Sequence, residues 1–93
     1  MAAYLVVSVS YHDKAWIEAY RRDVPALIEA HGGRYLAKSL NPEQLEGSEA
    51  APHTLAILEF PDADSARAML SSDAYRPYAE ARREGAETSM YLI

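Results

Sequence analysis

The chain contains no cysteine, which excludes a disulfide framework, a thiolate nucleophile and any sulfur-ligated metal site. Cations are scarce as well. Nine lysines and arginines face fourteen aspartates and glutamates, for a formal net charge of −5. Phosphate binding needs clustered cations, so neither nucleic acid nor an anionic membrane surface is expected as the main partner. The basic pairs Arg21-Arg22 and Arg82-Arg83 each have acidic neighbours. No apolar run approaches the ~20 residues of a membrane span, and the first residues lack the basic region of a secretory signal. The expectation is a cytoplasmic protein with no membrane contact. There is no P-loop, no G-x-G-x-x-G loop and no nucleophile elbow, and His12 and His53 lack the spacing of zinc ligands. Neither a metal nor a cofactor is called for.

What remains is a chain of 93 residues, 49% apolar and 25% charged, the composition of one soluble globular domain spanning residues 1–93. Ala3 to Ser10 (A-Y-L-V-V-S-V-S) is valine-rich and reads as a strand. His12-Asp13 offers a turn, with Asp13 as N-cap. Trp16, Ile17, Tyr20, Val24, Leu27, Ile28 and His31 then recur at helical spacing, with Glu18, Arg21, Arg22 and Glu29 off that stripe. Pro25 removes one helical hydrogen bond, so a bend is expected there. Gly32-Gly33 suits a left-handed helix C-cap.

A second strand is read over Arg34 to Leu40. A polar excursion from Asn41 to His53 follows, inside which Leu45-Glu46-Gly47 can resume pairing. Thr54 to Phe60 is the third strand, closed by Pro61. Asp62 or Asp64 caps a helix reaching about Leu70. Ser72-Asp73 starts another, which stops near Gly85, and Pro77 fits only in its first turn. Thr88 to Ile93 supplies the last strand.

The order β-α-β-β-α-β, with right-handed crossovers, predicts an α+β fold: an antiparallel ferredoxin-like sheet in order 4-1-3-2, with helices on one face. In the first strand Leu5, Val7 and Val9 share one face while Tyr4 and Val6 begin the other. In the third, Leu55 and Ile57 oppose Ala56, Leu58 and Phe60. Both faces are largely apolar, yet one helix layer covers only one. A homodimer packed sheet against sheet is the simplest remedy, and Val6 and Leu58 are candidates to face the mate.

Tyr20 with Val24-Pro25, His31-Gly32-Gly33-Arg34-Tyr35, Leu45-Glu46-Gly47, Glu59-Phe60-Pro61 and Ser72-Asp73-Ala74-Tyr75 together resemble the family known as domain of unknown function 1330, within the dimeric α+β barrel group. The resemblance spans nearly the whole chain. It implies a homodimer of ferredoxin-like subunits but no established reaction, since the wider group includes cofactor-free monooxygenases, isomerases, polyketide cyclases and haem enzymes.

The topology brings His31, Arg34, Tyr35 and Glu59 to one end of the sheet. As a catalytic set, His31 would carry protons, Glu59 would orient it, and Arg34 and Tyr35 would stabilise an oxyanion. Equally, His31 can be a helix-end cap and Arg34–Glu59 a structural ion pair. The face that Glu59 occupies is open at this point. A second cluster, Tyr75, Tyr78 and Arg82 at i, i+3 and i+7, with Trp16 and Tyr20 opposite, reads either as the lining of a ligand cavity or as amphipathic packing. Two functions follow. One is a cofactor-free enzyme (isomerase, cyclase, lyase or oxygenase type) acting on a small carbonyl-bearing or phenolic compound. The other is a non-catalytic ligand-binding or structural dimer.

Overall fold

The computed structural model describes every residue, Met1–Ile93. It runs β1 (Ala3–Tyr11), α1 (Ile17–Ala30), β2 (Arg34–Ser39), β3 (Thr54–Phe60), α2 (Ala63–Ser71), α3 (Arg76–Gly85) and β4 (Ala86–Leu92). The strands form one sheet in the order β2-β3-β1-β4, antiparallel at each pairing. This is the expected ferredoxin-like arrangement.

Strand alternation decides what the helices cover. Ala3, Leu5, Val7 and Val9 are buried, and Phe60, Leu58 and Ala56 stand opposite the first three of them. Directly opposed residues share a face, so this is the inner face. It packs against Val24 and Ile28 of α1, Ala66 and Met69 of α2, and Tyr75 and Ala79 at and within α3. Phe60 is fully buried, a placement that stabilises the fold by about 1.5–3 kcal/mol. The other face carries Tyr4, Val6 and Ser8 of β1 opposite Glu59, Ile57 and Leu55 of β3. No helix lies over it, and Leu55, Ile57 and Tyr91 are 37%, 39% and 64% exposed. Val6 therefore belongs to the uncovered face. Leu58 does not: it is 5% exposed, in the core beneath the helices, which corrects the expectation that it faces a mate.

The His31-Gly32-Gly33 corner closes α1 as expected. Gly32 has φ +78°, and its N–H donates to the Glu29 carbonyl while that of Gly33 donates to Ile28. That pair of bonds is the Schellman arrangement, which satisfies carbonyls the helix end leaves open. Gly33 is needed for space: a β-carbon there would lie 2.6 Å from the Phe60 ring.

Local chemistry moves several boundaries. Asp13 accepts from the Ala15 N–H at 2.9 Å, ordering a turn, and α1 begins only at Ile17 and continues through Pro25. Asp62 caps α2 by accepting from the Ser65 N–H at 2.7 Å. Pro77 falls in the first turn of α3. Leu45-Glu46-Gly47 is not a strand: residues 40–53 form an irregular loop. β4 starts at Ala86 rather than Thr88, because the chain passes straight from Gly85 into the strand while the Gly85 carbonyl accepts from the N–H groups of His12 and Asp13.

Candidate functional site

The expected constellation at the sheet end divides between two sides. Arg34 and Glu59 are directly opposed in the β2–β3 register and pair Nε to Oε1 at 2.9 Å. Glu59 alternates with buried Leu58 and Phe60, so its carboxylate lies on the uncovered face. His31 ends α1 on the helical side, where its Nδ1 is 2.9 Å from the Leu27 carbonyl oxygen. Strand periodicity thus separates Glu59 and Arg34 from His31. The imidazole closes a helix end, and the ion pair bridges two strands.

Tyr35 is different. Leu36 is an extra residue in β2, since Tyr35 opposes Leu58 whereas Ala37 already opposes Ile57. Tyr35 faces the helices beside Leu58, and the bulge turns Lys38, opposite Ala56, to the same side, as bulges commonly re-aim side chains. There they border a cavity of about 250 Å³ between the sheet and the helical layer. Of the residues expected to bind ligand, Trp16, Tyr20, Tyr75 and Arg82 line this cavity, and Tyr78 does not. Tyr78 instead donates to Asp23 Oδ2 at 2.8 Å, tying α3 to α1. His31, Arg34 and Glu59 are absent from the lining.

The cavity walls are mostly apolar, with a few convergent polar groups, the usual make-up of a small-molecule site. Trp16, Tyr20 and Tyr75 form an edge-to-face ladder, with ring centroids 5.4 and 6.0 Å apart. The Tyr20 and Tyr75 hydroxyls are 2.6 Å apart, and Arg82 Nη2 approaches the Tyr75 oxygen at 3.5 Å. Burial first, then the adjacent Tyr75, raises the Tyr20 phenol far above its ordinary value. The same causes, in the same order, raise Tyr35. Both hydroxyls therefore keep their protons at neutral pH and can donate.

Arg82 is 5% exposed. Its Nε is buried without a hydrogen-bond partner, and no carboxylate lies within ion-pair distance of it. Burying an uncompensated charge is costly, and the group normally has a counterion or a ligand. Trp16 Nε1 is also buried and unpartnered; its indole packs over Gly85, where a β-carbon would collide with it.

Two basic cavity residues escaped the sequence reading. Arg21 lies off the apolar stripe read for α1, yet it lines the cavity. Lys38 also lines it, with Nζ 5.2 Å above the Tyr35 ring. The spacing of Arg21 after Ile17 and Tyr20 was a usable signal, whereas nothing in the sequence marks the bulge that turns Lys38. No cluster of three or more His, Cys, Asp or Glu side chains has the geometry of a metal site. His53 accepts from the Tyr11 N–H through Nδ1 at 3.1 Å and stacks on the Tyr11 ring. No helix is long and apolar enough to cross a membrane.

Comparison with solved structures gives likenesses of fold. The RPA0582 protein of Rhodopseudomonas palustris, of unknown function, matches with TM-score 0.83 at 17% identity, over 99% of this chain and 80% of that one. SnoaB from Streptomyces nogalater, a cofactor-independent oxygenase, matches with TM-score 0.70 at 19% identity, over 99% and 90% of the two chains. A dimeric protein of unknown function with a ferredoxin-like fold, from Bacteroides fragilis, matches with TM-score 0.62 at 15% identity, over 99% and 94%. No curated protein matches the sequence. The family described as domain of unknown function (DUF1330) matches residues 2–93, and on that near-complete match the chain belongs to this family.

Proposed function

We propose that this protein binds a small carbonyl-bearing or phenolic compound in the cavity between its helices and sheet. The observation that carries this reading is Arg82, a guanidinium almost wholly buried in the cavity wall with Nε unpartnered and no carboxylate beside it. A purely structural core has no use for such a group, whereas a site built to hold an oxygen does. The Tyr20–Tyr75 hydroxyl pair next to it supplies a donor and a short path for a proton. Together these groups suit cofactor-free chemistry in which charge develops on a ligand oxygen, as in isomerisation, cyclisation or oxygenation of an enolisable compound. The fold likeness to SnoaB, a cofactor-independent oxygenase, supports including that reaction class in the search.

The chain acts as a homodimer joined through its uncovered sheet face in this reading. Val6, Leu55, Ile57 and Tyr91 on that face favour association, because apolar patches of this kind on soluble domains usually mark interfaces. The fold likeness to a dimeric protein of Bacteroides fragilis points the same way.

The test is a thermal-shift screen of phenols, quinones, ketones and aromatic acids, repeated on Arg82→Gln. The reading expects compounds that stabilise the wild type and lose most of that effect in the variant. Hits would be followed by absorbance for turnover, which separates an enzyme from a binding protein. A screen in which every stabilising compound acts equally on Arg82→Gln would remove the cavity from consideration.

A further inference from the structure

Resting on the reading of the cavity as a ligand site, we infer that its ligand is an organic anion: a planar acid of one or two rings, whose carboxylate or ionised hydroxyl meets Arg82. The charge around the cavity reverses that of the chain. Acidic residues outnumber basic ones by fourteen to nine overall, yet no aspartate or glutamate lines the cavity, while Arg21, Lys38 and Arg82 all do. Arg21 and Lys38 are exposed and Arg82 is buried, so positive charge runs from the surface to the interior. A cleft lined by one sign of charge draws in ligands of the other sign.

The unmet hydrogen-bonding capacity points the same way. Arg82 Nε is buried without a partner, and a guanidinium can only donate. Tyr35 keeps its hydroxyl proton, and the single hydrogen bond between the Tyr20 and Tyr75 hydroxyls leaves one proton of that pair to donate. A site whose free polar groups are donors complements a molecule that offers acceptors, and an oxyanion offers the strongest. No acid of this chain pairs with Arg82, and the uncovered face, where a second copy would dock, lies across the sheet from it.

The walls define the rest of the ligand. Trp16, Tyr20, Tyr35 and Tyr75 present ring faces and edges, and Met69 and Met90 add adaptable thioethers. A dry cavity of about 150 Å³ accepts benzene. One of about 250 Å³ therefore has room for one or two rings with a carboxylate.

Matched pairs of probes test this on the intact protein: benzoate against benzamide, and 1-naphthoate against 1-naphthamide, titrated calorimetrically at low and high salt. The acid of at least one pair is expected to bind about tenfold or more tighter than its amide, with the preference shrinking as salt rises. Arg82→Gln should abolish the preference, and Arg82→Lys should retain part of it. Lys38→Gln, at an exposed position, should weaken acid binding a few-fold and flatten its salt dependence, which keeps the test decisive should Arg82→Gln not fold. Amides that bind as tightly as acids, or a preference untouched by Arg82→Gln and Lys38→Gln, would overturn the anion assignment while leaving the ligand cavity standing. No binding by either member of either pair would overturn both.

Discussion

The Glu59 carboxylate meets the Arg34 guanidinium at 2.9 Å across adjacent strands, on the face of the sheet that no helix covers. That position takes both residues out of reach of the helix-side cavity and puts them among the apolar side chains of the uncovered face. As an exposed pair they contribute only ~0–1 kcal/mol. In the dimer proposed above, a charged pair among Val6, Ile57 and Leu55 would help fix how a second copy aligns.

Substitutions on the two faces should behave differently. Ile57→Glu or Val6→Asp should yield a folded monomer by sedimentation equilibrium, because a charge on the uncovered face leaves the helical core intact. Leu58→Asp should fail to fold, since it buries a carboxylate beneath the helices. A dimer that persists in both Ile57→Glu and Val6→Asp would rule out association through this face.

Arg82→Met should raise the stability of the ligand-free protein by about 1–4 kcal/mol in chemical denaturation, because an apolar side chain replaces a buried, uncompensated charge. A loss of comparable size would identify Arg82 as a structural residue.

His31→Ala should lower stability by about 0.5–2 kcal/mol, as loss of a helix-end partner does, without changing ligand affinity per folded molecule. Gly33→Ala should cost about 1–3 kcal/mol from overpacking, because its β-carbon would press on the Phe60 ring and on Ile28. Urea denaturation of the two variants, followed by titration of the folded protein with whichever probe binds, checks both statements. Loss of affinity in folded His31→Ala would return His31 to the site.

Stability should decline at both extremes of pH. Asp23 is held below its ordinary 3.8 by hydrogen bonds from Arg22 and then Tyr78, and Asp62 by the Ser65 N–H. Unfolding then takes up protons once the pH falls to about 4, so stability is fully present above that point and is lost progressively below it. At the alkaline end, Tyr20 and Tyr35 are raised above 10.0 by burial, and Tyr78 by its bond to Asp23. Unfolding releases those protons above pH 10, so stability falls as pH rises further. Urea midpoints measured from pH 3 to 11 check both limbs. Absorbance titration of the folded protein should show Tyr20 among the last phenols to ionise.

Much of the fold is decided by periodicities that are local in the chain. Alternation in Ala3–Tyr11 and Thr54–Phe60, helical spacing from Trp16 to His31, and the glycines at 32 and 33 suffice for β-α-β-β-α-β and for the sheet order, because crossover handedness leaves few alternatives. The aromatic and basic cavity residues Trp16, Tyr20, Tyr75 and Arg82 were legible for the same reason, lying at helical intervals on inward stripes. Three things were decided only by the tertiary structure. Which face of β3 meets the helices depends on its register with β1, which separated Glu59 from His31. Tyr78 left the cavity because Asp23 on α1 offered its hydroxyl a closer acceptor. The bulge at Leu36, a long-range misfit between β2 and β3, turned Lys38 inward against simple alternation. Strand register, side-chain partners and bulges are set by contacts between segments far apart in the chain, so a sequence read segment by segment carries the elements but not the side on which their charges meet.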